Sequence, residues 1–162
     1  MEYNKNKSSD FAKIFKSIEE IIKIEIWYDK HYFLRLQFGD DLGKREGIDF
    51  DIVQDLVINA IKHMIFYSAC VKNFAFINHN VIEKNIRAFR IVCQKQIKTG
   101  MLNVVIEAHS DEINKYEITI KTAMCTNDFK IADGQYVIEI LDNERSILRL
   151  MARNKLTEVY YI

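Results

Sequence analysis

The sequence predicts an α+β fold, with two or three N-terminal helices packed on a mostly antiparallel sheet of four to six strands. Three observations predict it. Apolar residues recur at helical spacing early in the chain and alternate later, the signatures of amphipathic helices and half-buried strands. Proline is absent and glycine occurs only five times, three of them between the first and second helical patterns. The helices precede the strands as a block, which is the order of α+β and not of a doubly wound parallel sheet.

Each element has its own signal. Ser9 or Asp10 is a helix N-cap, followed by Phe11, Ile14, Phe15, Ile18, Ile21 and Ile22 at helical spacing. Ile22, Ile24, Ile26 and Tyr28 alternate, so a short strand overlaps the end of that helix. Residues 30–38 read as helix, with His31 and Arg35 four apart on one face. Residues 39–47 read as a loop. Asp49 then caps the clearest helix, with Asp51 at its positive end and a stripe of Val53, Leu56, Val57, Ala60, Ile61 and Met64. It is expected to end near Phe66 or Tyr67.

Strands follow at 71–78, 86–96, 101–109, 116–124 and 135–141. Thr99-Gly100 reads as a hairpin turn, and residues 110–112 as a polar turn. Strict alternation would place Tyr116, Ile118, Ile120, Thr122 and Met124 on one face, and Lys121 on the other from Thr122. The tail from 146 to 162 reads as two short strands, the alternative being a helix and a strand.

Composition bounds the rest. A chain of 162 residues fits a single domain, with residues 1–8 polar and expected to be disordered. Apolar residues make up 49% and charged residues 28%, enough for a core. With 23 basic and 23 acidic side chains, the formal net charge is zero. That argues against a protein that coats nucleic acid, and leaves room for a local basic groove. No signal peptide and no membrane span are expected. Cys70, Cys93 and Cys125 are odd in number and lie in apolar segments, which reads as buried free thiols in the reducing cytoplasm. Neither CxxC nor HExxH occurs, so no metal and no cofactor is expected.

Candidate site residues come in groups. Lys84, Arg87, Arg90, Lys95 and Lys98 form a basic run interleaved with Phe89, the pattern of an RNA-facing surface. The bland reading is a solvated strand edge, where lysine discourages edge pairing. His63 reads as a capping or surface residue, and His79 as a loop residue. His109 shares a strand face with Glu107, as an oriented base would. Tyr116 and Tyr136 are candidates only through the family resemblance that follows, in a group that sometimes uses tyrosine.

Four short matches carry a family resemblance: His31-Tyr32-Phe33-Leu34-Arg35, Arg45-Glu46-Gly47-Ile48, Met101-Leu102-Asn103-Val104-Val105-Ile106 and Ile118-Thr119-Ile120-Lys121-Thr122. In this order they resemble the barnase–EndoU–colicin–RelE group of small ribonucleases, and within it the branch that opens on an HxxxR helix. Gly47-Ile48-Asp49-Phe50-Asp51 looks like the helix entry of BrnT-type toxins. The resemblance covers residues 24–125. It implies a toxin-type or mobile-element endoribonuclease that cleaves RNA through its 2′-hydroxyl without metal. His31 would be general acid or base, Arg35 and Arg45 would hold the phosphate, and Thr122 would donate to it. Arg87, Arg90, Lys95, Lys98 and Lys121 would bind the nucleic acid. The implied partners are RNA and an inhibitory antitoxin or immunity protein. The rival is a non-catalytic module that binds protein or nucleic acid. A third reading is an assembly protein that forms a homo-oligomer through Val159-Tyr160-Tyr161-Ile162.

Overall fold

The structure, a computed structural model, describes residues 23–30, 32, 34, 37, 48–78, 88–112 and 115–162. Among them are one helix set end to end, α1 (Phe50–Cys70), and eight strands in one sheet. The strands are β1 (Lys23–Tyr28), β2 (Ile77–Asn78), β3 (Ile91–Ile97), β4 (Gly100–Glu112), β5 (Lys115–Cys125), β6 (Tyr136–Ile140), β7 (Ser146–Ala152) and β8 (Lys155–Tyr161). Backbone at Lys30, Tyr32, Leu34 and Gln37 is also helical. The first expected helix, over 9–22, lies outside the described residues.

The expected fold class is therefore corrected. The described chain is mostly β, and its sheet is mixed. The path runs β1-β5-β4-β3-β6-β7-β8, with β2 also beside β4. β1 is parallel to β5, β2 to β4 and β3 to β6. Parallel pairs join strands that are far apart in the chain, and alternation along one strand carries no information about its neighbour's direction. The edge of β4 is divided: Gly100 to Ile106 pair with β3, while Ala108 and His109 pair with β2.

Helix α1 forms where the sequence predicts. The Asp49 carboxylate accepts from the Asp51 amide at 3.3 Å and caps the first turn. Val53, Leu56, Val57, Ala60, Ile61, Met64 and Tyr67 are buried along one stripe. The stripe packs on one sheet face, against Ile91, Cys93, Leu102, Val104, Ile106, Ile118, Ile120, Ile138 and Leu148. The helix continues past Tyr67 to Cys70, because its end is closed by the Val71 amide donating to the Tyr67 carbonyl at 2.8 Å.

Other boundaries move for local reasons. The segment 71–78 pairs only at Ile77 and Asn78, after a turn with Asn73 at φ 69°. The expected turn at 110–112 is instead the end of β4, which stays paired to Lys115 through an irregularity. The β3–β4 turn lies at Lys98-Thr99, and Gly100 begins β4 at φ 130°, a backbone that a side chain would strain. The tail forms β7 and β8, joined by Arg153 and Asn154 at φ 53° and 60°. Two successive positive φ values give a turn whose twist suits a two-residue hairpin. All three cysteines are free; Cys93 is buried, Cys125 half-buried and Cys70 exposed, so the buried-thiol reading fails at Cys70.

His63 is not a surface residue. It is buried near the end of α1, with Nδ1 2.9 Å from Ser146 Oγ and Nε2 3.3 Å from the Asn143 carbonyl. The Tyr67 hydroxyl joins the same buried hydroxyl at 2.7 Å. Burial holds the His63 pKa below its ordinary 6.5, opposed by the Asn143 carbonyl and Asp142.

Candidate functional site

The second face of the sheet is built differently. Its apolar centre is small: Val92, Val105 and Val137, with Phe129, Ile131 and Leu156 packed on them. Beside this patch opens a cleft of about 980 Å³. Its walls come from the end of β1 (Asp29), the entry to β3 (Ala88, Phe89, Arg90), the middle of β5 (Lys121, Thr122, Met124) and the connection to β6 (Phe129 to Gln135).

A β-bulge places two of these residues. Ile120 pairs with Ile106, but Thr122, not Lys121, pairs with Val105. The extra residue changes the face on which the strand alternates. Ile118 and Ile120 face α1 before the bulge; Ala123 takes that role after it. Lys121 and Thr122 consequently both line the cleft. Two expectations fall together. The run from Tyr116 to Met124 does not share one face, and Lys121 and Thr122 are not on opposite faces.

Lys121 Nζ donates to Asp29 Oδ2 at 2.5 Å, which ties β5 to the end of β1. Both side chains are more than three-quarters buried. Arg90 Nε donates to Glu107 Oε1 at 2.7 Å. The other Glu107 oxygen lies 3.7 Å from His109 Nε2, so the expected His–carboxylate pair is present on this face. Lys130 is exposed and makes no ion pair among the described residues. Phe89 is 42% exposed at the cleft wall.

Two buried asparagines hold this wall in place. Asn78 donates through Nδ2 to the Phe89 and Ala108 carbonyls at 3.0 and 3.1 Å, and its Oδ1 accepts from the Phe89 amide at 2.9 Å. Asn103, fully buried, donates to the carbonyls of Met101, Met124 and Thr126 and accepts from Gln94 Nε2 at 2.7 Å. It fixes the strand end that follows the bulge. Sequence reasoning missed both residues. For Asn103 the signal was a lone amide inside the apolar run Leu102-Asn103-Val104, since a buried amide there must be fully bonded, whereas Asn78, followed by His79 and Asn80, carried no such mark. It also missed Asp29.

The expected site residues are divided. Thr122, Lys121 and Arg90 meet at the cleft. Lys95 shares the odd-numbered register of Ile91 and Cys93, which face α1, and Lys98 lies in the exposed β3–β4 turn. Neither is among the residues that line the cleft. His31, Arg35, Arg45, Arg87, Lys84 and His79 lie outside the described residues. Tyr116 and Tyr136 pack against the core. Among the described residues no group of three His, Cys, Asp or Glu side chains is placed to hold a metal ion, and no helix is long and apolar enough to cross a membrane.

Chemically, the cleft offers an aromatic face, three cations and a hydroxyl. Asp29 and Asp133 also line it, so it is not a uniformly positive trough. No protein-family model, no curated protein and no solved structure matches this chain.

Proposed function

We propose that the cleft binds single-stranded RNA. The observation that supports it is the bulge that turns Lys121 and Thr122 into one cleft with Phe89, Arg90 and Lys130. Single strands are held by aromatic rings under the bases and cations along the backbone. The carboxylates at Asp29 and Asp133 are acceptors for sugar hydroxyls and exocyclic amines. With two of the three cations already paired, few phosphates are neutralised, so affinity should depend only gently on salt.

The test is fluorescence anisotropy with a labelled ten-residue oligouridine. Lys121→Ala and Thr122→Val should weaken binding, while Lys95→Ala and Lys98→Ala should leave it unchanged. Equal loss from the two pairs would move the ligand away from the cleft.

A second reading, metal-free RNA cleavage, is favoured by one observation. Asp29 lines the cleft and stands two residues before His31 in the chain. On that reading the protein is a toxin-type ribonuclease, and an inhibitory protein would cover this wall. Cleavage in EDTA that a His31→Ala/Arg35→Ala double variant loses would establish it. Bound but intact RNA would leave a binding module.

A further inference from the structure

The cations of the cleft are not equivalent. Lys121 is a point charge held by Asp29 at 2.5 Å. Arg90 is held differently. Its contact with Glu107 runs through Nε, at 2.7 Å. A guanidinium carries five N–H donors in a planar fork. Bonding at Nε fixes the plane, and the Nη1 and Nη2 edge has no partner among the described residues. With Nε taken, that end-on edge is the one left to bind a phosphate through two parallel hydrogen bonds.

The support behind it is stiff. Asn78 engages both the amide and the carbonyl of Phe89, the residue before Arg90. Glu107 is largely buried, 14% exposed, against 42% for Arg90. His109 stands behind Glu107 on its other oxygen. A fork whose backbone and Nε are both fixed loses little entropy when it takes an anion.

We propose that Arg90 is the oxyanion fork of the cleft, its Nη edge receiving one phosphate of the ligand, with Glu107 as its positioning residue and the Asn78 clamp holding Phe89 beside it for the adjoining base. This rests on the RNA reading above for the identity of the strand, but not for the existence of the fork. By sequence Arg90 is one of five equivalent nucleic-acid-binding candidates. The structure gives it a geometry that lysine does not share.

The experiment compares Arg90→Lys, Arg90→Ala, Glu107→Gln and Glu107→Ala with wild type, by anisotropy of labelled oligouridine and by the Arg90 Nε–H resonance under titration with inorganic pyrophosphate. Arg90→Lys should lose about as much affinity as Arg90→Ala, on the order of tenfold, because the planar fork and not the charge is read. Glu107→Gln keeps an acceptor for Nε and should bind at least as tightly as wild type. Glu107→Ala removes a negative charge from beside a polyanion site, yet should weaken binding about threefold by freeing the fork. Wild-type affinity in Arg90→Lys, or tighter binding in Glu107→Ala, would overturn the proposal. If oligouridine fails to bind but pyrophosphate still shifts the Arg90 resonance, the RNA reading falls and the fork stands. If neither ligand acts on Arg90, both fall.

Discussion

The two faces of the sheet use the same strands for opposite purposes. The face under α1 is aliphatic and closed, from Ile26 across Ile118, Ile106 and Cys93 to Ile138 and Leu148. The other face holds a three-valine patch and then opens into charged pairs: Lys121–Asp29, Arg90–Glu107, Arg149–Glu139. Adjacent residues of one strand therefore belong to different energy scales. Ile106 is sealed under the helix, while its neighbour Val105 floors the cleft at 7% exposure. Stability is concentrated on the first face, which leaves the second free to carry exposed and paired polar groups.

The comparison predicts a steep contrast between those neighbours. Ile106→Ala should cost about 3 kcal/mol, from lost transfer energy and a sealed cavity. Val105→Ala should cost about 1 kcal/mol, since the cleft side can admit water. Urea unfolding of the two variants measures both, and equal costs would dissolve the distinction.

A buried polar exception on the helix face sharpens it. Ser146→Ala strips a fully buried hydroxyl from Tyr67 and His63. It should destabilise by about 2 kcal/mol, the cost of leaving buried partners unsatisfied. The same measurement reads it.

On the cleft face the order of effects reverses. Lys121→Ala should reduce oligouridine affinity about tenfold while costing less than about 1 kcal/mol of stability, the usual range for a partly exposed ion pair. A large stability loss with unchanged affinity would make the bulge a structural device only.

The smallest effect is in pH. The folded pKa of His63 lies below its ordinary 6.5. The unfolded chain thus binds more protons between those values, and stability rises with pH there. The contribution is complete above about pH 6.5 and is lost as pH falls through the folded value. Urea midpoints at pH 5.5 and 7.5 should differ less in His63→Gln than in wild type.

The sequence was readable where one period governs one environment. The stripe on α1 reported its buried face correctly. It was silent on pairing direction, which is set between strands and not along them. It misled at β5, where one inserted residue exchanged the faces of Thr122 and Met124. No local propensity marks a bulge at Lys121, because Lys121 and Thr122 are ordinary strand residues and the irregularity is visible only against Val105 and Ile106. Of the basic run, charge alone gave five equivalent residues; register separates Arg90 from Lys95. The ribonuclease matches at His31, Arg35 and Arg45 fall outside the described residues and stay a proposal.

Asn78 has a consequence for how this chain tolerates change. Its side chain binds both backbone groups of Phe89, 11 positions later, and its partner Ala108 anchors it to β4. One side chain of β2 thereby ties the entry of β3 to β4. Asn78→Asp would keep the acceptor for the Phe89 amide and surrender both donated bonds at once, so a change of a single atom would loosen a wall 11 positions away.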